Sequence, residues 1–288
     1  MELFRSNLIV TGIALFLSLT LVHLLYRQER RLGRFISHRL GWRGMLLTGW
    51  LGVPIHEFSH LLLAKIFRHR IIGWKLFQPD PVTGTLGYVR HSYNRENAWQ
   101  IVGCFFVGIA PLFVGGALLA LLLKWIFPDV TLPSEFILPS FDSPQSFNLL
   151  LQQAWPLLKG VVKALALALW KDPSPWLPLQ LYLGLCIASH LAPSGTDLRN
   201  GLAGFILFIA ISFVAVFWLS KIEISLALVL MLPLALSILL LSCAVFQAFY
   251  ALTVVIFLRL SRPQGRRASA TPKASKVAPL PRTAKSSN

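Results

Sequence analysis

The sequence predicts an all-α polytopic membrane protein of six to seven transmembrane helices, with a small membrane-associated β-hairpin following the second of them. Three observations carry this. Of 288 residues, 55% are hydrophobic and 13% charged, and the mean hydropathy is +0.65, well outside the range of soluble globular domains. Apolar runs near the roughly 20 residues needed to cross a bilayer recur along the chain. Between two of them, residues 68–100 break the pattern with Gly73, Gly84, Gly87, Pro79, Pro81 and β-type stretches such as Thr85-Leu86-Gly87-Tyr88-Val89, which reads as a hairpin.

Residues 7–26 form the first expected span, and an Arg-rich cytoplasmic loop closes this first region, residues 1–44. Residues 45–258 form the membrane-embedded core. Within it, 45–67 and 101–127 are expected spans, the latter with Gly103, Gly108, Gly115 and Gly116 allowing close helix approach. Residues 128–148 read as an extramembrane loop, and 176–192 and 201–219 as further spans. The last run, 224–258, is about 52 Å long if helical, so it tilts, projects or bends near Pro233. Residues 149–170 suit either an interfacial helix or a span. Counting them as a span gives seven and puts the Arg-rich loop and the basic tail, 259–288, on one side. That tail lacks the apolar content to fold.

The net charge of +16 is concentrated at two places. Residues 27–43 hold six Arg and one Glu, and residues 259–288 hold eight Lys or Arg and no acid. Both flank apolar segments, as cytoplasmic anchors of an integral, multi-pass protein in a bacterial-type cytoplasmic membrane do. No aromatic-basic motif accompanies the charge, so no nucleic-acid partner is expected. Cys104, Cys186 and Cys243 lie in apolar runs without paired spacing and read as small core residues.

Polar chemistry interrupts the second span at Val53-Pro54-Ile55-His56-Glu57-Phe58-Ser59-His60. On a helix, His56 and His60 share one face and both imidazoles reach a single metal ion. Glu57 lies about 100° around the helix from His56, beside the ion without ligating it. Two imidazoles hold Zn²⁺, the ion acidifies a water, and Glu57 takes its proton. A charged side chain at bilayer depth costs on the order of 3 kcal/mol, which makes an intramembrane Glu between two His a functional candidate. The remaining His23, His38, His69, His91 and His190 are scattered singly, unlike the His boxes of membrane di-iron enzymes.

A catalytic zinc takes a third protein ligand and keeps one position open. Leu63 and Ile66 occupy the positions where an extended zinc motif would carry Gly and His. Asp197, in "ASHLAPSGTDLRNGLAGF", lies between two apolar spans at the start of the later one. His190, seven residues earlier, is the rival third ligand.

Together, "HEFSH" and "SGTDLRN" resemble the site-2 protease family of intramembrane zinc metalloproteases and related zincin membrane peptidases. The resemblance spans residues 45–205. It implies that Asp197 completes the site of His56 and His60, and that "GTLGYVRHSYN" is a membrane-associated hairpin holding an extended transmembrane substrate. Gly87, Tyr88, Val89 and His91 are then the substrate-binding residues. The family's Asp-Gly pair is replaced here by Asp197-Leu198. Two other readings stay open: a zinc protease acting on soluble or lipid-modified termini, and a catalytically silent zinc-binding scaffold in the bilayer. The oligomeric state is not legible.

Overall fold

The computed structural model describes residues 2–126, 175–221 and 247–256 except 249, with single positions at 152, 156, 159, 163, 170 and 259. The chain divides into residues 1–252 and 253–288, and every element below belongs to the first. The expected loop 128–148, the tail, and all but isolated parts of 149–170 and 224–258 fall outside the described residues.

Helix α1 runs over Glu2–Ile66 and is interrupted at Gly41, whose φ of 65° and ψ of −163° fit no helix. Glycine takes that conformation without steric cost. The chain folds back there. A Cβ on Gly33 would stand 3.9 Å from the Met45 side chain, whereas twelve residues of straight helix would separate them by about 18 Å. The Arg-rich segment, expected as a loop, is therefore largely helical. Its apolar residues explain this: Leu32 and Ile36 are buried and continue the stripe of Leu21 and Leu25, so the arginines occupy the outer face. Pro54 sits inside the second half without ending it.

At its end α1 closes in a left-handed turn. Arg68 has φ 59°, its N–H reaches the Lys65 carbonyl at 3.0 Å, and the His69 N–H reaches Ala64 at 2.8 Å. This is the Schellman pattern, with Arg where Gly is usual. Strand β1, Arg70–Lys75, follows and pairs antiparallel with β2, Tyr88–Ser92, with a register shift between Ile71 and Gly73. Further rungs join Gln78 to Leu86 and Asp80 to Thr85. The turn is held by the Asp80 carboxylate, which accepts from the Val82 N–H and the Thr83 hydroxyl, and by Gly84 at φ 73°. Those bonds hold the exposed Asp80 carboxyl below the usual range. The expected hairpin is present, and among the described residues no strand pairs with either outer edge.

Helix α2, Ala98–Gly108, is capped by Asn97, whose side chain accepts from the Gln100 N–H. Helix α3, Ala110–Ile126, follows at a bend of 52°. The expected span 101–127 is thus a broken pair, and Pro111 just inside α3 marks the break. Helix α4, Leu177–Ala188, leads through a short loop into α5, Gly195–Lys221. Among the described residues α5 alone is long and apolar enough to cross a membrane, and the α2–α3 pair passes only when taken together.

Glycines set how closely α2 and α5 approach. A Cβ on Gly204 would run into the Ile101 carbonyl and stand 2.8 Å from the Phe105 amide; one on Gly108 would stand 2.8 Å from the Asp197 carbonyl. Those obstacles are backbone and cannot swing aside. Gly204→Ala is therefore expected to destabilise the fold by about 2 kcal/mol or more, and Gly12→Ala, which meets nothing within 4 Å, to be neutral or slightly stabilising. Thermal unfolding of the two variants measures the contrast.

Candidate metal centre

Four segments build the site. The second half of α1 carries His56, Glu57 and His60, the α2–α3 bend supplies a carbonyl, the loop before α5 supplies a second, and the first turn of α5 supplies Asp197. His56 Nδ1 lies 2.8 Å from the His190 carbonyl oxygen, and His60 Nδ1 lies 2.7 Å from that of Val107. A carbonyl only accepts, so both Nδ1 atoms are N–H donors. In the neutral rings each Nε2 then carries a lone pair.

Those two Nε2 atoms face each other at 3.1 Å. They stand 3.8 Å (His56) and 3.5 Å (His60) from Asp197 Oδ2. Two lone pairs and a carboxylate oxygen converging on one point repel unless a cation sits between them. For bonds of about 2.0–2.1 Å, the ligand atoms of a tetrahedral zinc site are separated by roughly 3.3 Å, and the three observed separations bracket that value. Only this group of His, Cys, Asp or Glu side chains meets the geometry of a metal site among the described residues.

Both carbonyl acceptors trace to prolines. Pro111 has no N–H, so the Val107 carbonyl lacks its helical donor four residues on. Pro193 likewise offers nothing to the His190 carbonyl. The Ser194 N–H, the next candidate, is turned to Asp197 Oδ2 at 2.7 Å, while the Asp197 N–H returns to the Ser194 hydroxyl at 3.2 Å. This reciprocal capping box opens α5 and aims the Asp197 carboxylate at the histidines. Close approach, which an Asp-Gly pair would ease, is given by Gly108 against the Asp197 carbonyl.

The His190 ring is not brought into the cluster. Its Nδ1 meets the Ser189 hydroxyl at 2.7 Å, and the ring packs on Gly52, where a Cβ would come within 2.5 Å of it. The rival ligand thus acts through its backbone. Glu57 is half-buried beside the hairpin. A Cβ on Gly87 would lie 3.0 Å from Glu57 Cγ and 2.9 and 2.8 Å from the Lys75 and Leu76 carbonyls, so glycine lets the hairpin backbone lie against the carboxylate. Tyr88 and Val89 follow in β2, and the Arg90 guanidinium covers the Tyr88 ring at 4.8 Å.

His91 belongs to a second polar group that anchors the hairpin. His69 Nε2 lies 2.8 Å from the Gln100 carbonyl and must be an N–H, so His69 Nδ1 accepts from His91 Nδ1 at 3.0 Å. Neutral His91 therefore presents a lone pair, not a donor, on Nε2. Burial, then the charges of His69 and His60, push His91 down to about 4, and burial lowers His69. The Gln100 side chain continues the anchor, donating to the Arg68 carbonyl and accepting from the Asn94 N–H. Sequence reasoning missed His69, the two carbonyls and Ser194; the S-x-x-D spacing of Ser194 and Asp197 was the legible signal.

Set against protein-family models, curated proteins and solved structures, the chain shows no match.

Purified wild-type protein is expected to hold zinc. Asp197→Ala is expected to lower its affinity at least about 100-fold, and His190→Ala, which keeps the carbonyl, to retain it; metal analysis after dialysis reads both. For the hairpin, His91 and His69 are neutral in the fold below the pH at which the unfolded chain protonates them. Their contribution is thus complete above about 6.5 and is lost as pH falls from there toward about 4. Amide exchange in Trp74 and Val89, corrected for intrinsic rates, should accelerate in that window, and less so in His91→Asn.

Proposed function

We propose that the protein is an intramembrane zinc metalloendopeptidase that hydrolyses peptide bonds in or beside transmembrane segments of other proteins. One observation carries this reading: His56, His60 and Asp197 converge with their donor atoms fixed by neighbouring backbone, and Glu57 lies next to them at the foot of a hairpin whose outer edges meet no strand among the described residues. Zinc bound there supplies Lewis acidity toward a peptide carbonyl and makes a water a competent nucleophile near neutral pH. Glu57 takes the proton of the attacking water and gives it to the departing amine nitrogen, so carboxylate and carboxylic acid alternate through one turnover.

The remaining residues hold the substrate. A helix has all its amides paired internally, so cutting it requires local unwinding, and the freed groups need new partners. The outer edge of β2 offers N–H and C=O groups for strand addition, and Gly87, just before β2, lies against Glu57. His91, with a lone pair on Nε2, fits an acceptor of substrate N–H better than a donor to a carbonyl.

The membrane setting is supported by the surface. Only 11% of the apolar window of α5 is buried, and Leu202, Ile206, Phe213 and Trp218 on it are exposed, as are Leu121 and Trp125 on α3 and Phe58 and Leu62 on the helix of the motif. Apolar surface of that extent is covered by lipid or protein in a working molecule.

Glu57→Gln is expected to keep its metal and lose activity by about 10²–10⁴-fold. Terminal peptide mapping of membranes from cells expressing either form tests this: wild type alone should generate new termini within or next to transmembrane segments. New termini confined to soluble or lipid-modified proteins favour the first alternative, and identical maps with metal in both favour a silent scaffold.

A further inference from the structure

The hairpin has two unlike faces. Residues directly opposite each other in an antiparallel pair project to the same side of the sheet, and the register sets Arg70 against Ser92, Gly73 against Arg90 and Lys75 against Tyr88. Those positions form one face. Ile71 with His91 and Trp74 with Val89 form the other. This second face is the inner one: His91 meets His69 at 3.0 Å, and Gly87, on the same side by alternation, is where a Cβ would touch Glu57.

The first face is basic and unneutralised. Arg70, Lys75 and Arg90 are all exposed, and the ion pairs among the described residues involve only His56, His60 and Asp197. Between Arg70 and Ser92 the single acid is Asp80, and its carboxylate is committed to its own turn. The Arg90 guanidinium lies over the Tyr88 ring at 4.8 Å, which holds it on this face and leaves its charge intact. By the register Arg90 is a diagonal neighbour of both Arg70 and Lys75, about 7–8 Å from each, and like charges so placed repel.

Arg90 also lies on the strand whose outer edge meets no other among the described residues. A strand added there places one residue opposite Arg90, with its Cβ about 4.5–5.5 Å away, and turns the residues before and after it to the face of Glu57. Arg70 and Lys75, one strand further in by about 5 Å, add to the same positive field. An extended peptide with a carboxylate at that position answers the open edge and the charge together, whereas a lipid head group answers only the charge.

We propose that the hairpin selects its substrates by charge: the segment added to β2 carries Asp or Glu opposite Arg90, and the residues flanking that acid face the candidate site. This rests on the strand-addition reading of the hairpin and names the class of segment it takes.

The test uses full-length Glu57→Gln protein in non-ionic detergent, so that bound peptide stays intact, and the fluorescence anisotropy of labelled nonapeptides in which valine and threonine alternate around a central Glu, Gln or Lys. The Glu peptide is expected to bind about fivefold tighter than the Gln peptide, the upper end for a cross-strand pair of opposite charge, and the Lys peptide more weakly than both. Added to this background, Arg90→Gln should bring the preference below about twofold, Arg70→Gln and Lys75→Gln should reduce it less, and Arg90→Glu should favour the Lys peptide. Should Arg90→Glu fail to fold, Arg90→Gln carries the comparison. The protease reading fails separately, when wild type generates no new termini in membranes, and that outcome does not alter these affinities. Equal binding of the Glu and Gln peptides, binding of neither, or a preference above about twofold in Arg90→Gln overturns the proposal. So does a face that meets lipid instead: peptides bound alike, with phosphatidylglycerol raising the unfolding midpoint more than phosphatidylcholine does and Arg90→Gln abolishing that difference.

Discussion

The arrangement depends on two hydrogen bonds from imidazole to backbone. Once Nδ1 of His56 is committed to the His190 carbonyl and Nδ1 of His60 to that of Val107, the protons of both rings are assigned and both Nε2 lone pairs point to one place. Two histidines four residues apart on a helix share a face in any sequence. What distinguishes this pair is that both rings are held in the same tautomer by groups that cannot themselves donate. Metal-ligating histidines are commonly oriented through the second nitrogen in this way.

Those acceptors are fixed by packing elsewhere. Val107 ends α2, and α2 is pressed on α5 through Gly108, Gly201 and Gly204, so the helix that orients His60 also positions Asp197. The loop that orients His56 contains the serine that caps α5 and turns the Asp197 carboxylate inward. No ligand is therefore placed independently. A change in the α2–α5 spacing moves the His60 acceptor and the Asp197 oxygen together, and larger side chains at the glycines act at the candidate site from outside it.

Much of the candidate site was legible because its determinants are local. H-E-x-x-H is a helical pattern, and its polarity inside an apolar run is a strong signal. Asp197 was reachable through its place at the start of an apolar span. The hairpin could be read from Gly, Pro and β-type residues in 68–100. Other features are long-range. The fold-back at Gly41 was hidden because arginines read as solvated loop, although Leu32 and Ile36 carried a buried stripe through them. The bend between α2 and α3 rests on Pro111 within a run whose hydropathy is uninterrupted. The choice between His190 and Asp197 turned on how Ser189 and Gly52 hold a ring, and residue spacing carries no information about that. Pro111 and Pro193 were visible, yet their meaning depends on which imidazole comes to lie beside the carbonyl to which each offers no N–H.

The segment from Ser189 to Asp197 serves two neighbours at once. On one side it presents the His190 carbonyl to His56 and the Asp197 carboxylate to both histidines; on the other, Ser189, His190 and Ser194 line a cavity under Glu29, whose Oε2 holds the Ala192 N–H. A capping box, the His190 carbonyl contact and the Ala192 amide contact lie within nine residues, so a small displacement of this loop changes the aim of His56 and Asp197 together.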